Sequence, residues 1–165
     1  MITVDDDAIY EPDMVKSMYE DHLENPGVII GRRIRKINHD SYGHTLNYDT
    51  WEFVENETAS MDLFATTGGG TLFPPEFCHL IDKTTPNEIE QTQTIFCDDF
   101  FLHYLSQKYG IMTKCVNYTN RRTKFFRGYM KKSLEMAYDS EALWEKNIKN
   151  NNNFIYLFDK VEGLS

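Results

Sequence analysis

Three consecutive aspartates, Asp5, Asp6 and Asp7, follow the short apolar run Ile2-Thr3-Val4. Two carboxylates about 4 Å apart repel by roughly 4 kcal/mol at an effective dielectric of 20, so three in a row persist only when solvated, protonated or neutralised by a cation. Side chains alternate along an extended strand, which sends Asp5 and Asp7 to one side and Asp6 to the other. Asp5 and Asp7 therefore read as paired hard oxygen ligands suited to Mg²⁺ or Mn²⁺, ions that keep several waters and commonly hold substrate phosphates. An exposed acidic turn is the plainer account of an isolated triplet. A second acidic pair, Asp98 and Asp99 in "CDDFFLHYL", stands where a helix is predicted to start, and helix capping suits both residues. Between the two pairs lies "TTGGGTLFPPEF", whose Gly68, Gly69 and Gly70 carry no Cβ and so accept positive φ at a turn.

In this order "ITVDDDAIYEPDMV", "TTGGGTLFPPEF" and "CDDFFLHYL" resemble three signatures of GT-A type glycosyltransferases of the family 2-like class, particularly the bacterial enzymes that assemble capsule or lipopolysaccharide glycans. The likeness covers roughly residues 1 to 105. It implies a DXD motif at a strand end, with Asp7 the principal ligand of Mn²⁺ or Mg²⁺, Asp5 beside it on the metal or on the donor sugar and ribose, and Asp6 in the substrate-binding set. Gly68, Gly69 and Gly70 would bring backbone against the sugar. Asp99 would be the catalytic base, while Asp98 would orient the acceptor or cap the helix. The implied reaction is attack by an acceptor hydroxyl on the anomeric carbon of a nucleotide sugar, with inversion. A carboxylate takes the hydroxyl proton and a cation stabilises the departing diphosphate. Trp51 in "YDTWEF" is the candidate for stacking on a sugar ring, or else an ordinary half-buried aromatic. His103, four residues after Asp99, shares its helix face and is expected at the surface. Two rival readings fit parts of the chain. One is a catalytically inert glycosyltransferase remnant that pairs with another chain or binds glycans. The other is a metal-dependent phosphohydrolase, which uses the carboxylates but leaves the glycine and double-proline segment without a role.

These groups need elements to position them. Residues 2 to 4 predict a short strand, and Pro12 suits the first turn of a helix carrying Met14, Val15, Met18, His22 and Leu23 at helical spacing, ended by Asn25-Pro26-Gly27. The β-branched run "VIIGRRIRKI" predicts one strand over about 28 to 37. Residues 38 to 58 read as a loop with a short strand. A brief strand follows the glycines and stops at Pro74-Pro75, with a helical piece near 75 to 81. Asn87 is the expected cap of the next helix, and Asp98 or Asp99 opens another that turns Phe101, Leu102 and Leu105 inward and closes at Gly110. "IMTKCVNY" resembles a strand. The remainder predicts helices, with the asparagines at 150 to 153 as a junction. The fold class expected is α/β, a partial GT-A (Rossmann-like) domain with a mixed sheet and a helical C-terminal tail. One domain spans 1–165, with the sheet and acceptor-side core in 1–118 and the tail in 119–165.

A chain of 165 residues with 41% apolar and 14% aromatic side chains is large enough for one buried core. No apolar run approaches the ~18 residues of a membrane span, and the acidic start does not resemble a secretory signal, so a cytoplasmic protein is expected. Cys78, Cys97 and Cys115 are odd in number and widely spaced, which predicts buried reduced thiols. The sequons at Asn56 and Asn117 matter only in a secreted chain. A net charge of -9 opposes binding to nucleic acid. The basic residues are bunched, however: Arg32, Arg33, Arg35 and Lys36 form one group, and Arg121, Arg122, Lys124, Arg127, Lys131 and Lys132 a second among Phe125, Phe126 and Tyr129. Solvated faces are the favoured account of both, ahead of a phosphate site or peripheral contact with an anionic membrane. In the GT-A family, βαβ units that hold the base and ribose precede the DXD strand, and that front half is expected to be missing here. The open sheet edge would then pair with a second copy or another chain, which predicts a dimer or larger assembly.

Overall fold

The computed structural model describes residues 1–5, 8–55, 58–92, 97–116, 124–125, 152 and 155. Asp6, Asp7, Asn56 and Asn117 lie outside the described residues, as do most of the second basic group and of the asparagine run. In chain order the elements are β1 (Ile2–Thr3), β2 (Ala8–Ile9), α1 (Met14–Glu24), β3 (Ile29–Gly31), β4 (Ile34–Lys36), a 3₁₀ turn (Tyr48–Thr50), β5 (Glu52–Val54), β6 (Leu63–Ala65), a second 3₁₀ turn (Thr67–Gly69), β7 (Thr71–Leu72), α2 (Pro75–Lys83), α3 (Pro86–Thr92), α4 (Asp98–Lys108), β8 (Thr113–Cys115) and β9 (Lys124–Phe125).

The protein is a mixed α/β fold. Its larger sheet has the order β1-β7-β3-β8, with β7 antiparallel to both β1 and β3 and with β3 parallel to β8. A three-stranded antiparallel sheet, β5-β4-β6, stands beside it, and β2 pairs with β9. The run expected as one strand over 28 to 37 is therefore two. Gly31 ends the first, and the next two residues bond to different partners: the Arg32 N–H donates to Gly70 O at 3.1 Å, while Arg33 O accepts from the Thr66 N–H at 3.0 Å. β-Branched residues favour extended backbone on both sides of this break, so the propensity runs through it unmarked.

Of the five residues read at helical spacing, helix α1 buries Met14 and Met18, half-buries His22 and leaves Val15 and Leu23 exposed. Asp21 takes the next inward position because the buried Lys114 ammonium meets its carboxylate at 2.8 Å. The helix ends as expected, with Gly27 at φ +79°. For α3 the cap is Thr85 rather than Asn87: its hydroxyl accepts the Glu88 N–H at 3.2 Å, and Pro86 occupies the first helical position, where no donor is needed. Helix α4 starts at Asp98 and buries Phe100, Phe101 and Leu105.

One part of the core gathers Ile37, Trp51, Phe64, Phe100 and Ile155; another gathers Ile29, Phe73, Phe77, Phe101 and Leu105. Of the expected helical tail, the described part includes a strand, β9, together with Asn152, whose side chain accepts the Tyr48 N–H at 2.7 Å. Cys115 is buried, whereas Cys78 and Cys97 are only half-buried. Among the described residues no helix is long and apolar enough to cross a membrane.

Candidate active site

The turn Thr67–Gly69 links β6 to β7, and each of its residues meets a different distant segment. Thr67 faces the start of α4: Asp99 Oδ1 accepts its N–H at 2.8 Å and its hydroxyl at 2.6 Å. Gly68 faces the end of β1, where a Cβ would overlap the Asp5 carboxylate. Tyr10 fastens the same pair, its hydroxyl accepting the Asp5 N–H at 2.7 Å and donating to Gly68 O at 2.9 Å. Gly69 packs on Arg33, whose Cβ occupies the place a Cβ at Gly69 would need. Asp5 and Asp99 thus meet adjacent residues, whose Cα atoms are about 3.8 Å apart. Gly70 follows at φ +94°, a conformation that favours glycine, and packs against Met14 and Arg32.

The glycines were expected to bring backbone against a sugar. Gly69 and Gly70 are instead buried, and their missing Cβ atoms make room for the chain's own Arg33, Met14 and Arg32. Gly68 alone of the three is half-exposed.

Asp99 is partly open to solvent, yet protein surrounds its carboxyl group, and burial pushes its pKa up to about 6. The two Thr67 bonds oppose that shift, the neighbouring Asp98 charge adds to it, and Arg33 draws it back. Asp98 is exposed, and its Oδ1 accepts the Asp99 N–H at 3.1 Å, a helix-start role.

Two site expectations are corrected by burial. Trp51 is 1% exposed, locked by its Nε1–H to Leu46 O at 2.9 Å and surrounded by Tyr48, Phe64 and Phe100, so neither face is open to a sugar. Phe53, two residues along the same strand edge, is 54% exposed. His103 is buried rather than at the surface, with its ring 5.2 Å from that of Phe64. Gln107 Nε2 donates to Met61 O at 2.6 Å and lies 3.0 Å from His103 Nε2. An amide nitrogen only donates, so His103 Nε2 is the acceptor and the imidazole is neutral, with its proton on Nδ1. Burial lowers its pKa to about 3. Asp99, His103, Ser106 and Thr113 line a cavity of about 10 Å³, the space of one water.

The first basic group does not form a continuous patch. Arg32 bonds Glu11 at 2.5 Å with its side chain buried, and Arg35 donates to Trp51 O at 2.5 Å while stacking on Tyr48 and Phe53. Lys36 is exposed opposite Glu52. Arg33 stands beside the turn, its guanidinium 5.1 Å from the Phe53 ring centre. Sequence reasoning missed Arg33, Tyr10 and Thr67 as parts of this site. Only Arg33 had a signal, since alternation along a strand puts it on the same face as Arg35.

As a holder for a divalent cation, Asp5 offers one hard oxygen donor group. Among the described residues no three His, Cys, Asp or Glu side chains gather as a ligand set. The chain matches no family model, no curated protein and no solved structure.

Proposed function

We propose that this chain is part of a GT-A type, family 2-like glycosyltransferase that moves a sugar from a nucleotide sugar to a glycan or lipid-linked acceptor with inversion. One observation carries the reading: the Asp99 carboxylate at the mouth of α4 bonds Thr67, and the Asp5 carboxylate just past β1 stands against Gly68, the next residue of the same glycine-rich turn. The mixed sheet agrees with that fold without being specific to it.

Asp99 is the base. With its pKa near 6 it is mostly ionised at neutral pH, yet more basic than an ordinary aspartate, which suits it to take a hydroxyl proton. Both Thr67 donors bond Oδ1, which assigns proton acceptance to Oδ2. Tyr10 and Gly68 hold Asp5 on the donor side of the turn. Asp5, with Asp7 from the same segment, would hold Mn²⁺ or Mg²⁺. Two carboxylates are enough where the ion keeps waters and takes phosphates, and when bound it would offset the charge of the departing diphosphate.

Calorimetric titration with Mn²⁺ and a panel of nucleotide sugars tests this. Heat is expected with at least one donor and is expected to vanish in Asp5→Asn, while Asp99→Asn keeps donor binding and loses transfer. Silence from every donor would sink the proposal.

A further inference from the structure

Beyond the donor and base sites, an open cavity of about 330 Å³ lies where β4 ends and β5 begins, lined by Lys36, Ile37, Asn38, Thr50, Glu52 and Val54. Ligand pockets start at about 300 Å³, so the space suits a small molecule. Lys36 and Glu52 are partners across β4 and β5, which puts their Cβ atoms on one face about 5 Å apart. Both side chains are exposed, and among the described residues neither forms an ion pair, although Lys108 and Lys114 do pair with Glu88 and Asp21. Val54 is on the same face of β5 as Glu52 and packs with Ile34, Leu63 and Cys115, while Ile37 is buried, so the apolar part of the lining is fixed. Asn38 is held at its backbone, where its O accepts the Leu46 N–H at 2.8 Å, and its carboxamide has no partner among the described residues. The Thr50 hydroxyl donates to Asn47 O at 2.7 Å, which leaves its oxygen able to accept.

We propose that this cavity binds a small zwitterion, a free α-amino acid with an aliphatic side chain. Its carboxylate pairs with the Lys36 ammonium, its ammonium pairs with the Glu52 carboxylate, and its side chain lies over Ile37 and Val54. The Asn38 carboxamide and the Thr50 oxygen add a donor and an acceptor beside the two charges. A ligand with one charge meets one of these side chains and is repelled by the other, and a neutral polyol displaces water from both without pairing either. A molecule that carries both signs on neighbouring atoms meets both. The alternative, Lys36 closing on Glu52, is an exposed pair of the weak kind, which a ligand readily replaces. The net charge of -9 repels a free anion from the chain, and a zwitterion escapes that field. The lining shares no residue with the Asp5, Thr67 and Asp99 group, so the site does not rest on the glycosyltransferase reading.

The test uses the whole chain, without metal or nucleotide, titrated with valine, isovalerate, isobutylamine and glucose, and followed by backbone amide NMR shifts. Isovalerate is valine without its ammonium and isobutylamine is valine without its carboxylate, so each removes one charge and keeps the apolar end. Valine is expected to move the signals of Lys36, Asn38, Thr50 and Glu52, and the two single-charge analogues to bind about fivefold more weakly or worse, as the loss of one charge-assisted contact should. Lys36→Gln is expected to weaken valine by a similar factor and leave isobutylamine unchanged, and Glu52→Gln to weaken valine and leave isovalerate unchanged. Both positions are exposed, so both variants should keep the folded amide spectrum. No response to valine, or either analogue binding as well as valine, would overturn the site on the parent chain alone. So would a valine response indifferent to both variants, or glucose binding more tightly than valine. Donor heat with Mn²⁺ but no valine response removes this site alone. A valine response without donor heat keeps it and removes the transferase.

Discussion

Asp99 and His103 sit one helical turn apart on α4, and burial acts on them in opposite directions. Asp99 has its folded pKa raised from 3.8 to about 6, so the folded chain takes up that proton first and gains stability as pH falls from about 6 to below 3.8, by roughly 3 kcal/mol. His103 has its folded pKa lowered from 6.5 to about 3, so stability is complete above about 6.5 and is lost as pH falls toward 3, by roughly 4 to 5 kcal/mol. Between pH 6 and 4 the two largely cancel, and below 4 the loss from His103 continues alone. Urea unfolding measured against pH is expected to show a shallow slope and then a steep acid limb. His103→Phe should flatten that limb while lowering the neutral plateau by about 1 kcal/mol through the lost Gln107 bond. A limb unchanged in this variant would remove the assignment. Thr67→Val isolates the other carboxyl: it deletes the 2.6 Å hydroxyl bond and keeps the N–H, so the Asp99 pKa should rise further, as read by carboxyl ¹³C titration. At this scale the acidic pairs were legible because carboxylates in series demand an explanation. Thr67 and Tyr10 were not, because a hydrogen bond between distant segments leaves no periodicity in the chain; Arg33 left only its alternation with Arg35.

The 3₁₀ turn and its glycines separate packing from chemistry. At Gly69 an added Cβ meets the Cβ and backbone of Arg33, atoms that cannot swing aside, so Gly69→Ala is expected to cost about 1 to 3 kcal/mol as overpacking. At Gly68 the obstacle is the end of the Asp5 side chain, which can rotate away. Gly68→Ala should therefore lower Tm less than Gly69→Ala and weaken the Mn²⁺-dependent donor heat more. The reverse ranking in paired thermal and calorimetric measurements would place Asp5 outside the binding set. The ends of α1 and α4 could be read from the sequence because their marks are local: Gly27 and Gly110, at positive φ, follow them. The break between β3 and β4 could not, since it depends on Gly70 and Thr66. Nor could the exchange of Trp51 for Phe53 as the open aromatic. The two are i and i+2, on one side of extended backbone, so alternation cannot separate them; Trp51 is covered because Tyr48, Phe64 and Phe100 pack around it, contacts between distant segments that no local pattern marks.

Across the whole molecule, two features lie on the outside that a core would normally cover. β1 is an outer strand of the four-stranded sheet, and among the described residues only β7 pairs with it. On α1, Val15, Tyr19 and Leu23 are 55%, 54% and 62% exposed. Single exposed apolar residues are ordinary, but three at spacings of four fall along one line of the helix and make a stripe. Another face of the helix packs on the sheet through Met14 and Met18, and the stripe joins no core cluster among the described residues. An edge strand with open backbone groups and an apolar helix face both favour association, the one by extending the sheet and the other by burial. The chain is therefore expected to self-associate, with a mass of at least a dimer by light scattering at micromolar concentration. The double variant Tyr19→Glu, Leu23→Glu leaves the inward face of α1 untouched, so it should keep the circular dichroism of the parent and shift the mass toward the monomer. A parent that is already monomeric contradicts the assembly. A double variant that remains dimeric would take the contact away from α1 and leave it to β1.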